Sequence, residues 1–377
     1  MNTPRLLPAA LAVLAAGSAA NAGAIMRRHD RDDAKYRELG EKYDCTVVIA
    51  GGTGTLVAPR WILTAAHVAQ NVSALDRVVH FGEETRTIEK VFTHPTWQGR
   101  MGSPEEVYDL ALLRLDAPVR SVEPVAIYEG EDEVGMTIVF VGRGMTGDGA
   151  AGIDEHDDGR LRAARNVVDS IAYDHWLVFD FDAPPDALDL EGISGPGDSG
   201  GPAIAEIDGR LYVVGVSSSN DAHGGKPCTY GSNEYYPRVS AAADWLDDTM
   251  REQLDTPADE TIEISDVSGG AWPAGRGPAC ARALFEAFNA ADAEAIAAFE
   301  RMYRGEQDPR GRSVEERVER WLSIHDDWGP QTPQRLAQPS PDRTQLQTKG
   351  KDGRQRVWTF EFDDSEPMML LGVAIGG

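Results

Sequence analysis

Between residue 46 and about residue 239 the apolar runs are short, and Gly, Asp, Asn or Pro breaks them every few positions; 46–50, 61–64, 137–142, 176–181 and 211–217 are examples. Runs this short with turn residues between them predict many strands and an all-β barrel or sandwich. A helical period takes over at 241–254 and predicts a helix that closes this section. Residues 255–278 are polar and carry Gly269-Gly270 and a second Gly/Pro cluster at 275–278, a linker composition with one short strand at 261–264. Beyond it the period changes again. Leu284, Phe285 and Phe288 share one helical face, Asp292 caps a second helix running to Phe299, and Ser313 with Glu316 forms a capping box ahead of Val314, Val318, Trp321 and Leu322. Strands are predicted at 343–349, 355–362 and 368–375, with a turn at Lys351-Asp352-Gly353. Helices followed by strands predict a small α+β domain.

The first 24 residues fit neither pattern. Arg5 precedes an apolar run at 6–16, and small residues follow to Ala24, which is the form of a secretory signal peptide. The run is too short to span a bilayer, and no later stretch is longer. Cleavage after Ala22 leaves Gly23 first, and cleavage after Ala24 leaves Ile25 first. The expected organisation is therefore a signal peptide at 1–24, a β domain at 25–255, a linker at 256–279 and an α+β domain at 280–377. The mature protein is expected outside the cytoplasm, secreted or periplasmic, without membrane insertion.

Composition narrows the classes. With 41% apolar and 26% charged residues over 377 positions, the chain has material for cored domains and excludes disordered or collagen-like readings. The net charge of −26, most of it before residue 277, has the wrong sign for a phosphate backbone, so nucleic acid is not an expected partner. Three cysteines, Cys45, Cys228 and Cys280, match no zinc ribbon or redox pair and allow at most one internal bridge. No metal or organic cofactor is expected, and the oligomeric state is open.

Three short strings carry the chemistry. Thr64-Ala65-Ala66-His67-Val68 follows a strand, Asp109-Leu110-Ala111-Leu112-Leu113 opens another, and Gly195-Pro196-Gly197-Asp198-Ser199-Gly200-Gly201-Pro202 is a glycine-dense loop before a third. A serine hydroxyl needs a base whose pKa lies near the working pH, and imidazole supplies it. A carboxylate on the other ring nitrogen fixes the tautomer and stabilises the imidazolium. Attack on a carbonyl creates an oxyanion, and backbone N–H groups at Gly197 and Ser199 are suited to receive it. In their order, His67, Asp109, Ser199, these strings resemble the chymotrypsin-like (trypsin-type) serine peptidases over residues 25–255. His94 and His156 have no such context and read as a strand end and a solvated loop residue.

The resemblance implies a double β-barrel with the site in its cleft, and an activating pair between Asp198 and a new α-ammonium. Cleavage after Ala24 would make Ile25 that terminus, although Met26-Arg27-Arg28 departs from the family's usual continuation. A free N-terminal arm and a further cut after Arg28 are the alternatives. Ser218, Ser219 and Asn220 match the segment that pairs with substrate backbone. Ile193 stands where trypsin-like members carry an acidic pocket floor, and Glu234 reads either as a replacement acid for Arg or Lys side chains or as an exposed surface-loop residue. Val68 and Gly195 occupy positions of usual half-cystines. Residues 280–377 loosely resemble the SnoaL-like, nuclear-transport-factor-like superfamily, in which Trp321, Trp328 and Trp358 would line a pocket or form core. The implied activity is that of an exported serine endopeptidase acting on protein or peptide through an acyl-enzyme. The rivals are a catalytically silent, protease-like binding protein whose C-terminal domain binds a ligand or partner, and a serine esterase.

Overall fold

The computed structural model describes residues 25–99, 105–154, 159–221, 226–258, 262–308, 311–363 and 369–376. The expected signal peptide and His156 lie outside the described residues. The chain divides into two units: the first holds the described residues up to Asn71 and from Val78 to Ala258, and the second holds Val72–Arg77 and the described residues after Asp259.

The first unit is rich in short strands and builds a nearly closed barrel. One six-stranded antiparallel sheet runs in the order Thr46–Ile49, Gly52–Ala58, Trp61–Thr64, Ala111–Leu115, Glu84–Thr93, Val78–Phe81. Its central strands read as unbroken apolar stretches because both faces are covered, and Trp61, Ile62, Leu63, Leu112 and Leu113 are all buried. A five-stranded sheet contains Arg162–Val167, Thr137–Gly142, Pro202–Ile207, Arg210–Val216 and Ala126–Ile127. A four-stranded sheet contains Ser170–Ala172, Trp176–Asp180, Asn233–Pro237 and Ser219–Asp221. Phe140, Phe179 and Tyr236 form an aromatic cluster with ring centroids 4.8–5.1 Å apart.

The closing helix is present as a 3-10 turn, Ser240–Ala242, followed by the α-helix Ala243–Glu252. Its end is held by Arg114, a buried strand residue whose guanidinium donates to the carbonyl of Gln253 and, at 2.7 Å, to Thr256 Oγ1. A cation at a helix C-terminus satisfies orphan carbonyls and opposes the helix dipole. Asp33–Gly40 is a helix that the pattern reading does not predict. Only Tyr36, Leu39 and Gly40 are buried along it, too few for a clear period. It is fixed by Asp32, which caps Ala34, and by Arg162, which makes a bidentate pair with Asp33 at 2.6 and 2.9 Å.

Among its described residues the second unit has three helices, Arg276–Asn289, Ala293–Arg304 and Val314–Trp328. Its antiparallel sheet runs in the order Ile264–Asp266, Gln331–Ser340, Arg343–Gly350, Gln355–Phe362, Leu370–Gly376. The Asp292 cap and the Ser313/Glu316 capping box form as read. Two corrections follow. The first helix starts inside the stretch read as linker, because Pro278 in the first turn lacks only an N–H that would have no intrahelical partner. The strand Gln331–Ser340 escapes the pattern because Pro333 and Pro339 interrupt it; the register shifts between Pro333 and Arg335 and again between Ala337 and Ser340. Trp321 and Trp358 stack at 5.8 Å in the core rather than lining a space, whereas half-buried Trp328 lies under the Arg356 guanidinium at 4.6 Å. All three cysteines are free and buried, so none of the bridges left open by the sequence forms.

Candidate active site

Strand register brings two of the motif residues together. Thr64 pairs with Ala111, so the four-residue helix Ala66–Ala69 that follows one strand lies beside the residue that precedes the other. Asp109 is fully buried; its Oδ1 accepts the His67 backbone N–H at 2.9 Å, and its Oδ2 lies 2.6 Å from His67 Nδ1. The Ser218 hydroxyl donates to the same Oδ2 at 2.6 Å. Burial is the largest influence on Asp109 and pushes its pKa up, but the His67 charge and the three hydrogen bonds outweigh it, so the carboxyl lies below its ordinary 3.8. For His67, burial pulls the pKa down most strongly, yet the Asp109 charge and hydrogen bond reverse this and hold the imidazole above its ordinary 6.5. Asp109 thus stabilises the charged form of His67 and, in the neutral ring, keeps the proton on Nδ1.

Ser199 enters from the loop before the strand Pro202–Ile207. Its carbonyl accepts from Thr53 N at 2.8 Å, and Gly200 N donates to Ser217 O at 2.8 Å. Gly52 explains how close the segments come: a Cβ there would lie 2.7 Å from both Ser199 O and a methyl of Val68, the neighbour of His67. Gly200 has φ 83° and would drive a Cβ to 2.2 Å from Thr53 O and Thr64 Oγ1. Among the described residues the N–H groups of Gly197 and Ser199 have no protein acceptor. They are available to a developing negative charge.

Asp198, immediately before Ser199, points the other way into the protein. Its carboxylate accepts from Gly144 N at 2.5 Å, Gly195 N at 2.8 Å and Ile25 N at 3.0 Å. Gly142 and Gly144 wall this pocket, since a Cβ at either would come within 2.4 Å of Asp198 atoms. Burial pushes Asp198 up to about 6, opposed by the peptide N–H groups of Gly195, Gly144 and Ile25 and, less, by the Arg162 charge. Ile25 is fully buried, its carbonyl accepts from Thr146 Oγ1 at 2.9 Å, and Met26–Arg27 lies as a strand between Gly147–Asp148 and Gly192–Ile193. The alternative of a free N-terminal arm is therefore not what the structure contains.

The residues read as substrate-binding separate. Ile193 is wholly buried and pairs with Met26. Ser219 and Asn220 form an edge strand against Tyr235 and Glu234, while the Ser218 side chain is committed to Asp109. Glu234 is not on a surface loop: it is 1% exposed, and its two oxygens accept from Ser194 Oγ at 2.6 Å and Ser194 N at 3.0 Å. Burial, reinforced by Asp198, drives its pKa up to about 8 despite these bonds. Cys228, at φ 61°, accepts a 3.4 Å contact from Asn220 Nδ2. Sequence reasoning missed Ser218 as a support of Asp109, and it missed the Gly142/Gly144 wall. Only folding brings these residues together.

The strand-rich, nearly closed barrel is a trypsin-type scaffold. The profile of the trypsin family, described as "Trypsin", matches residues 37–246, and the chain belongs to that family. It is 27% identical over 228 residues to hepatocyte growth factor activator serine proteases of Canis lupus familiaris, covering 52% of this chain and 32% of that protein. It is 24% identical over 278 residues to kallikrein-11 of Homo sapiens, covering 67% of this chain and 89% of that protein. The chain thus spans about a third of the first relative's length and most of the second's. These relatives support a peptidase at the level of the family. No helix among the described residues is long and apolar enough to cross a membrane.

Proposed function

We propose that this chain is an exported serine endopeptidase in which Ser199 is the nucleophile, His67 the general base and acid, and Asp109 the residue that orients His67. The observation that carries the reading is the 2.6 Å contact between His67 Nδ1 and buried Asp109, backed by the Ser218 hydroxyl. Ser199 Oγ attacks the peptide carbonyl as its proton passes to His67 Nε2. The oxyanion is received by the N–H groups of Gly197 and Ser199. Collapse breaks the C–N bond, and His67 gives its proton to the leaving amine. Water, deprotonated by His67, then hydrolyses the acyl-enzyme and restores Ser199. Peptide and ester substrates assayed side by side test this: wild type is expected to turn over both, Ser199→Ala neither, and hydrolysis of esters alone would favour an esterase.

Signal-peptide removal after Ala24 is proposed as the activating event, since it would put an α-ammonium where Ile25 N now meets Asp198. A further cut after Arg28 would remove the buried Ile25 and Met26, which argues against it. Export to the periplasm or exterior follows from the same leader. The C-terminal unit is proposed to be a SnoaL-like accessory domain.

Glu234 is proposed to select basic substrate side chains beside Ile193, with Ser219 and Asn220 pairing with substrate backbone. A carboxyl raised to about 8 is mostly protonated at neutral pH and ionises to meet a cation. For Lys or Arg substrates kcat/KM is therefore expected to rise with pH up to about 8. Glu234→Gln should remove the part of that rise that neutral substrates do not share, leaving the His67 limb, and cost roughly 10–100-fold at pH 8, as expected for losing a charge-assisted hydrogen bond. Neutral side chains should be unaffected. Matched peptides differing only at that side chain check it, and an unchanged preference in the variant would contradict it.

A further inference from the structure

Arg28 has no role in the chemistry above, yet it is 4% exposed and almost every polar atom of it is engaged. Its Nη1 donates to the carbonyls of Ala187 at 3.1 Å and Leu188 at 2.7 Å. Nε and Nη2 form a bidentate pair with Asp30 at 2.9 and 2.7 Å. Its backbone N–H donates to the Tyr36 hydroxyl at 3.1 Å, which donates onward to the Glu191 carbonyl at 2.9 Å. The next residue, His29, donates its N–H to Tyr230 Oη at 3.0 Å.

All these partners but Asp30 and Tyr230 lie on, or are bridged to, one segment. Residues 187–191 run directly into Gly192–Ile193, which pairs with Met26–Arg27, and then into Ser194, whose hydroxyl and N–H hold Glu234. The Glu191 carboxylate secures the same loop by accepting from Asp182 N at 2.7 Å and Leu188 N at 2.5 Å. The geometry points to Arg28 as a positioning residue that ties the inserted N-terminal segment to the wall of the substrate pocket. Insertion at Ile25 would order the oxyanion loop through Asp198, and Arg28, three residues on, would order the 187–194 wall at the same time. Two loop carbonyls and a carboxylate share the guanidinium, a planar fork that a lysine ammonium cannot reproduce.

This rests on the reading of Ile25 as the mature terminus and Ser199 as the nucleophile. The test takes wild type, Arg28→Ala and Arg28→Lys, each confirmed by terminal sequencing to begin at Ile25. The rate of Ser199 labelling by a small fluorophosphonate is measured beside kcat and KM for peptides carrying either glycine or a large side chain at the cleaved residue. Removing the arginine takes the shared donor from the half-buried carbonyls of Ala187 and Leu188 and should loosen the wall, raising KM about tenfold for the large side chain. Labelling and the glycine peptide should stay within about threefold of wild type, and Arg28→Lys should recover part of the KM through one carbonyl. If Arg28→Ala does not fold, the intermediate KM of Arg28→Lys with unchanged labelling carries the same prediction. A KM within about twofold of wild type in the variants that fold overturns the proposal, as does an equal fall in labelling and in both peptides. Absence of labelling in wild type overturns the peptidase reading, and this inference with it.

Discussion

Asp109→Asn is expected to lower kcat by about 10⁴-fold while leaving the fold intact, the size of loss known for this exchange in the serine-protease triad. An amide at this position has one oxygen and one NH₂, whereas the carboxylate accepts at Oδ2 from both His67 and Ser218 and at Oδ1 from the His67 backbone. An NH₂ facing the ring nitrogen imposes the wrong tautomer, and one facing the His67 N–H sets two donors against each other. The acid limb of the pH profile moves as well. His67 acts as a base only when neutral, so activity falls as pH drops through its pKa, which the Asp109 charge holds above 6.5. Without that charge the burial of His67 prevails, and the limb should shift to lower pH even as the plateau collapses. Stopped-flow acylation across pH 5–9 checks both effects; a limb that moves upward would contradict the assigned pairing.

The second large effect concerns Ile25. Blocking the new terminus by acetylation, or by retaining residues before Ile25, is expected to cut activity on the order of 10²–10³-fold, the consequence of leaving Asp198 buried without its ionic partner. While Ile25 N is a peptide nitrogen, burial holds Asp198 at about 6 rather than 3.8. A raised acid destabilises the fold as pH rises from 3.8 through about 6, by on the order of 3 kcal/mol once it is ionised. An α-ammonium at the same point removes that cost. Its own pKa, ordinarily about 7.7–8.0, is raised by the pairing, so its contribution is complete below that range and is lost as pH rises through the raised value. Ile25 also sits at φ 64° in the continuous chain, a conformation costing about 1–3 kcal/mol for a β-branched residue. Cleavage before Ile25 removes that restriction altogether. Melting curves of blocked and free protein against pH should therefore diverge between pH 4 and 8. Parallel curves would contradict the pairing.

How much of this was legible in the sequence depends on the range of each interaction. The three motif strings are local, and glycine density around Ser199 reports a tight backbone path that a side chain would obstruct, as Gly200 and its 2.2 Å contacts bear witness. Helix caps at Asp292 and Ser313 were readable for the same reason. The Ser218 hydroxyl on Asp109 was not, because it joins residues 109 positions apart, and neither were the glycines that wall Asp198. The sequence favours a surface loop for Glu234 over a pocket acid; the strand Asn233–Pro237 and Ser194 bury it instead. Met26-Arg27-Arg28 departs from the family's usual continuation, and the sequence does not show how it is accommodated. The structure buries Met26 and satisfies Arg28 with two carbonyls and Asp30, a solution that requires partners some 160 residues away.

The most direct measurement is labelling of the mature protein with a fluorophosphonate, beside Ser199→Ala, with mass analysis of the modified peptide and of the N-terminus. Stoichiometric modification at Ser199 in protein that begins at Ile25, absent from the alanine variant, is the predicted result. Folded protein beginning at Ile25 that takes up no label would contradict the assignment of Ser199, His67 and Asp109 as a working catalytic site.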